Sequence, residues 1–158
     1  MTTPAYDTLF LEAASIAFTA DYGEARRSFL DACLRAGLKV DSRRHPLSAP
    51  DGTVLACDVA WAGPRAARRV LVMVSGTHGV EGFCGSAIQI DWLLSGGADR
   101  LPDGCSVLLI HAINPHGFAW LRRVTEDGVD LNRNFIDFSE PPPVNTGYAE
   151  LADAILPA

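Results

Sequence analysis

Apolar and polar positions along the chain follow two periods, one helical and one extended. From Asp21, the stretch YGEARRSFLDACLRAG sets Ala25, Phe29, Ala32, Cys33 and Ala36 on one face at helical spacing, and Gly37 supplies a left-handed stop. Arg26, Arg27, Asp31 and Arg35 fall on the other side and are expected to form its solvated face. LKVDSRRHPL then alternates like an edge strand, APDG marks a turn, and TVLACDVAWAG is a second strand with apolar residues at 55, 57, 59 and 61. Val70 to Val74 is a continuous apolar run that stops at Ser75-Gly76. GFCGSAIQIDWLLSGG reads as a helix with apolar Ala87, Ile88, Ile90, Leu93 and Leu94, stopped by Gly96-Gly97, and CSVLLIHAI is another apolar strand. Residues 1 to 20 are mostly apolar and small with little period, and are expected to form a short helix or an arm laid on the core.

Strand, helix and strand in that order, with both strands apolar throughout, predict a parallel βαβ unit buried on both faces with a right-handed crossover. The fold class is therefore α/β, with a small, largely parallel sheet and two main helices packed on it. In such sheets ligands bind outside the carboxyl ends of the strands. The loop THGVEG follows one strand of the unit and NPHGFAWLRR follows the other, so both are expected on one rim.

Composition narrows the class. At 158 residues, with 48% apolar and 20% charged residues, the chain is one globular domain's worth. Acidic residues outnumber basic ones by 19 to 13 and the basic ones are scattered, which argues against a nucleic-acid partner. Cys33, Cys57, Cys84 and Cys105 sit in or beside apolar segments without paired spacing, and are expected as buried thiols of a reducing compartment. The start lacks a basic n-region, its most apolar part carries Glu12, and no run approaches the roughly 18 apolar residues of a membrane span. A cytoplasmic location with no membrane partner is the expectation.

Chemistry concentrates at the rim. His78 and Glu81 stand three apart, which puts an imidazole and a carboxylate on one side of a tight turn, within reach of one cation. Zinc accepts both donors, and a catalytic zinc uses three protein ligands plus a water. The plainer alternative is that His78 caps the turn and Glu81 suits the positive end of the helix behind it. Downstream, Arg122, Arg123 and Arg133, with Asn132 beside the last, offer donors for an anionic substrate or for an oxygen that turns negative as a carbonyl is attacked. Pairing with Glu126, Asp127 and Asp130 is the competing account of those arginines. Among further ligands His111 is better placed than His116 or His45, although a histidine closing a buried strand suits a core. Glu126 and Asp127 sit in a TEDG turn whose composition is that of any exposed loop. FCGSA around Cys84 lacks the second cysteine and the aromatic of a thiol-protease segment, so packing is the simpler account of that thiol. No G-x-x-x-x-G-K-[ST] loop is present, so GTHGVEG is not a nucleotide cradle.

H-G-V-E, then N-P-x-G-F, an arginine and G-V-D-L-N-R-N-F, in that order, resemble the zinc carboxypeptidase (M14) superfamily. The fuller text SGTHGVEGFCGSA, HAINPHGFAWLRRV and DLNRNF is similar to its bacterial DUF2817-type branch, from about Ala20 to the end of the chain. The resemblance implies a three-layer αβα fold of the phosphorylase/hydrolase-like carboxypeptidase type, with the motifs carried by residues 20–138. It implies Zn2+ as cofactor, His78 and Glu81 as the first two ligands, Arg123 as the oxyanion-stabilising arginine, and Asn132 with Arg133 gripping a substrate's free carboxylate. The implied substrate is a small peptide or N-acyl amino acid with a free carboxylate, cleaved at the adjacent amide. The family's third ligand and general-base glutamate fall beyond residue 158, so by this pattern the chain is the N-terminal half of a catalytic domain, completed by another chain or homo-oligomer, or an inactive remnant. An aspartoacylase or succinylglutamate-desuccinylase type deacylase shares the G-T-H-G start and a D-L-N-R segment; N-R-N-F and GFAWLRR favour the carboxypeptidase branch.

Overall fold

A computed structural model describes residues 17–156. The Asp21 carboxylate accepts the Glu24 amide at 2.8 Å and so starts helix α1, Tyr22–Arg35. Gly37, at φ +67°, closes it, with the Leu38 amide donating to the Cys33 carbonyl at 2.8 Å. Strands β1 (Val40–Ser48), β2 (Val54–Ala62) and β3 (Arg69–Val74) follow, then helix α2 (Glu81–Leu94) and strand β4 (Cys105–His111). A short helix α3 (Pro115–Ala119), a 3-10 turn at Leu131–Arg133 and helix α4 (Thr146–Ile155) complete the chain. The apolar segment expected as a helix or arm within residues 1–20 lies, up to residue 16, outside the described residues.

The four strands form one mixed sheet in the order β1-β2-β4-β3. β1 with β2 and β2 with β4 are antiparallel, and β3 with β4 is parallel. β1 is an edge strand, as its alternation predicted. The parallel pair joined by α2 is the expected βαβ unit and the α/β class holds, but with two of the three pairings antiparallel the sheet is mixed rather than largely parallel. Both long helices pack on the same face, where Phe29, Ala32 and Cys33 of α1 and Ala87, Ile90 and Leu93 of α2 meet Ala60, Ala62, Val107 and Leu109 of the sheet. Burying Phe29, fully inaccessible, stabilises the fold by roughly 2–3 kcal/mol relative to an exposed ring.

Several expectations change on this scaffold. β3 is the other edge of the sheet rather than a strand buried on both faces, and Val70, Leu71, Val72 and Val74 are 43–60% exposed. On α2, Ile88 and Leu94 point outward while Ser86 and Gln89 are buried. Arg26 is not solvated: its Nε donates to a carboxylate oxygen of the fully buried Asp58 at 2.7 Å, and its Nη2 to the other oxygen at 3.2 Å. A buried carboxylate needs such a partner, so helical spacing alone misassigned this arginine. The cysteines also differ from the prediction. Cys33 is buried, and burial pushes its thiol up to about 12, whereas Cys57 and Cys105 are partly covered and Cys84 is exposed. No described helix is long and apolar enough to cross a membrane.

Candidate functional site

The rim begins where β3 and β4 end. Their pairing continues past the strands, the Ser75 amide donating to the Ile110 carbonyl, Ile113 to Ser75 and Asn114 to Gly76, at 3.0, 3.0 and 3.1 Å. Beneath them the Gln89 side-chain amide of α2 donates to the carbonyls of Met73 and Ile110, and its oxygen accepts the Ser75 hydroxyl at 3.0 Å. The same hydroxyl accepts the Ala112 amide. Ala112, fully buried, is held at φ +57°, a conformation rare for a residue with a Cβ that only a tightly determined surround maintains. Two loops thus leave a pinned base: one to His78 and Glu81, the other through α3 to the arginines.

His78 is nearly buried and uses both ring nitrogens. Its Nδ1 lies 3.1 Å from Glu81 Oε2, and its Nε2 lies 2.9 Å from Asp130 Oδ1. The second Asp130 oxygen accepts Arg123 Nε at 2.8 Å, and the carboxylate also caps the Leu131–Arg133 turn by accepting the Asn132 amide. Asp130, then Glu81, raise the His78 pKa above its ordinary value; His78, then Arg123, hold the Asp130 carboxyl well below the usual carboxylate range. Glu81 is the first residue of α2 and its side chain is open to solvent.

His78 and Glu81 offer two of the donors that a divalent cation takes. Nδ1 and the Glu81 carboxylate face one another, while the opposite ring nitrogen is occupied by a carboxylate, the arrangement that fixes tautomer and ring orientation in histidine ligands of metals. Imidazole nitrogen with carboxylate oxygen suits zinc. Among the described residues no group of three His, Cys, Asp or Glu is placed to hold a metal. His111 does not fill the place: it points into the core, stacked on Phe29 at 4.5 Å between ring centres, its Nε2 sharing a hydrogen bond with the Ser86 hydroxyl. His45 pairs through Nε2 with Glu126, which removes that glutamate as a free base, and His116 stacks on Trp120.

The structure therefore brings together His78, Glu81 and Arg123. Asn132 and Arg133 follow Asp130 on an exposed turn, and among the described residues neither side chain has a hydrogen-bond partner. Arg122 enters through its backbone, donating to the Gly117 carbonyl at 2.8 Å and accepting the Gly79 amide at 3.0 Å. Asp130, expected as one of the carboxylates that could pair with the arginines, does pair with Arg123; what sequence reasoning missed is its second contact, to His78, which joins the histidine to the arginine.

A family model described as "Protein of unknown function (DUF2817)" matches residues 18–158. Among curated proteins nothing matches. Solved structures to which the chain is similar include a zinc-dependent exopeptidase from Parabacteroides distasonis, 14% identical over 76% of this chain and 44% of that one, with a TM-score of 0.42. Glutaminyl cyclases from Macrostomum lignano and Porphyromonas gingivalis are also similar. The first is 11% identical over 63% of this chain and 35% of its own, TM-score 0.46. The second is 14% identical over 52% and 35%, TM-score 0.36. The chain thus spans less than half the length of these structures.

Proposed function

The chain belongs to the DUF2817 family, and from that membership and the geometry of the rim we propose a zinc-dependent hydrolase of the metallocarboxypeptidase-like (M14) type, cleaving an amide next to a free carboxylate. The observation that carries the reading is His78, with Nδ1 turned to Glu81 and Nε2 held by Asp130. Zinc, when bound, supplies a Lewis acid that polarises a carbonyl and acidifies water. The chain's own residues do the rest of what can be assigned. Asp130 keeps the proton on Nε2, so the Nδ1 lone pair is left for the cation together with the Glu81 carboxylate. Arg123, tied to the same Asp130, brings a guanidinium to the neighbourhood of the ligands, where its remaining N–H groups suit an oxygen that gains negative charge. Arg133 offers the planar fork that pairs with a carboxylate, and Asn132 a neutral donor beside it. A third ligand and a carboxylate base come, in this reading, from outside the described residues or from a second chain.

The test is zinc per chain, measured after dialysis against a weak chelator, for the wild type, His78→Ala and His116→Ala. About one zinc in the wild type and in His116→Ala, with none in His78→Ala, is expected. Loss in both variants, or no zinc in the wild type, overturns the assignment. Hydrolysis of N-acyl amino acids and of peptides with a free carboxyl end, compared with their amidated forms, then reads the substrate class.

A further inference from the structure

The turn carrying His78 and the loop carrying Arg123 meet without side chains between them. The Gly79 amide donates to the Arg122 carbonyl at 3.0 Å, and the Arg122 amide donates to the Gly117 carbonyl at 2.8 Å. A Cβ at Gly79 would overlap the Gly117 carbonyl oxygen and stand 2.6 Å from the Arg122 nitrogen and 2.8 Å from its oxygen. All three obstacles are backbone, which cannot swing aside as a side chain can. A Cβ at Gly117 would in turn strike the Asn114 side-chain amide and lie 2.9 Å from the Arg122 oxygen. Asn114 is almost fully buried; its Oδ1 accepts the Gly117 amide at 2.8 Å and its Nδ2 donates to the Thr77 carbonyl at 3.3 Å, one residue before His78. Leu121, exposed beside this contact, is held at φ +52°, so the loop is bent into it against its own backbone preference.

From these contacts we infer that Gly79, Gly117 and Asn114 form a backbone clasp that sets the distance between the metal-binding turn and the arginine loop, and are positioning residues for the candidate site. The inference rests on the reading of His78 and Glu81 as ligands. Its physical content is that two loops from different strands are locked in register at residues 79, 117 and 122. The His78–Asp130–Arg123 chain, whose members come from both loops and the turn beyond, then needs no adjustment when a cation arrives. Packing alone would be served by any small residue at 79. The clasp requires the absence of a Cβ, because the amide-to-carbonyl contact places the two backbones too close for one.

The experiment measures the zinc dissociation constant by competition with a chromophoric chelator, and the visible spectrum of the Co2+-loaded protein, for wild type, Gly79→Ala and Asn114→Asp. Asn114→Asp retains the acceptor for the Gly117 amide but replaces the donor to Thr77 with a second acceptor. Gly37→Ala serves as the control, since it strains a left-handed glycine in open space far from the rim. Zinc binding weakened by about tenfold or more in Gly79→Ala and Asn114→Asp, with an altered Co2+ spectrum, and unchanged in Gly37→Ala, is the expected result. Unchanged affinity and spectrum in a folded Gly79→Ala overturn the clasp; if that variant does not fold, the same readings on Asn114→Asp decide. If even the wild type takes up no zinc, the metal reading has failed and NMR of the His78 ring proton facing Asp130 decides the clasp instead. Loss of that signal in the variants supports it, and its persistence in them overturns it.

Discussion

One carboxylate organises the rim. Asp130 takes the back of His78 and the Nε of Arg123, so the candidate ligand and the candidate oxyanion donor are oriented by the same side chain. Asp130→Asn keeps the shape but removes the charge that holds both, and turns one acceptor into a donor facing other donors. Zinc affinity is expected to fall by about 10- to 100-fold, the usual cost of losing an outer-shell partner of a histidine ligand. An affinity within twofold of the wild type would show instead that Asp130 only caps its turn. Residue types alone single out His78, Glu81, Asn132 and Arg133 as candidates, because few side chains can bind a cation or a carboxylate. Asp130 was not legible in that way: an aspartate's partner is a tertiary fact, and its role depends on a histidine 52 residues away in the chain.

Elements were more legible than contacts. The spacing of Ala25, Phe29, Ala32 and Cys33 marks the buried side of α1, since a helix must turn its apolar positions to the sheet. Polar residues on that buried side were not legible, and they form a layer of their own between sheet and helices. Asp58 on β2 and His111 on β4 are direct cross-strand partners; Arg26 of α1 pairs with the first, Ser86 of α2 with the second. Burial pushes the His111 imidazole down to about 4, with Arg26 adding to the shift and Asp58 opposing it. The sign follows directly. Below its ordinary value of 6.5 the unfolded chain binds a proton that the folded chain refuses, so the stability that neutral His111 contributes is complete above that pH and is lost as pH falls towards 4. The loss reaches about 3 kcal/mol at most. Denaturant midpoints measured between pH 7.5 and 4.5 should fall more steeply for the wild type than for His111→Gln, which cannot titrate. Parallel profiles would mean that the ring charges without opening the core.

At the scale of the molecule the two faces of the sheet differ. One is closed by α1 and α2; on the other, Val59 and Trp61 of β2 lie opposite Ile110 and Leu108 of β4, these lie opposite Val74 and Val72 of β3, and Val70 continues that side of β3. The three valines are 43, 50 and 44% exposed, and among the described residues one edge of β3 is unpaired. An apolar strand that is both uncovered and at a sheet edge is a template for association, because its backbone groups and its side chains both lack partners. Val72→Lys places a charge in the middle of that face. If the face is open in solution, the substitution should lower the fluorescence of a bound apolar dye and raise the protein concentration at which light scattering begins. Its cost in stability should then stay within about 0.5 kcal/mol, as for other half-exposed positions. A cost of about 2 kcal/mol or more, with dye binding already low in the wild type, would instead mean that Val72 is covered in the protein as it exists in solution, since only a buried site penalises a lysine so heavily.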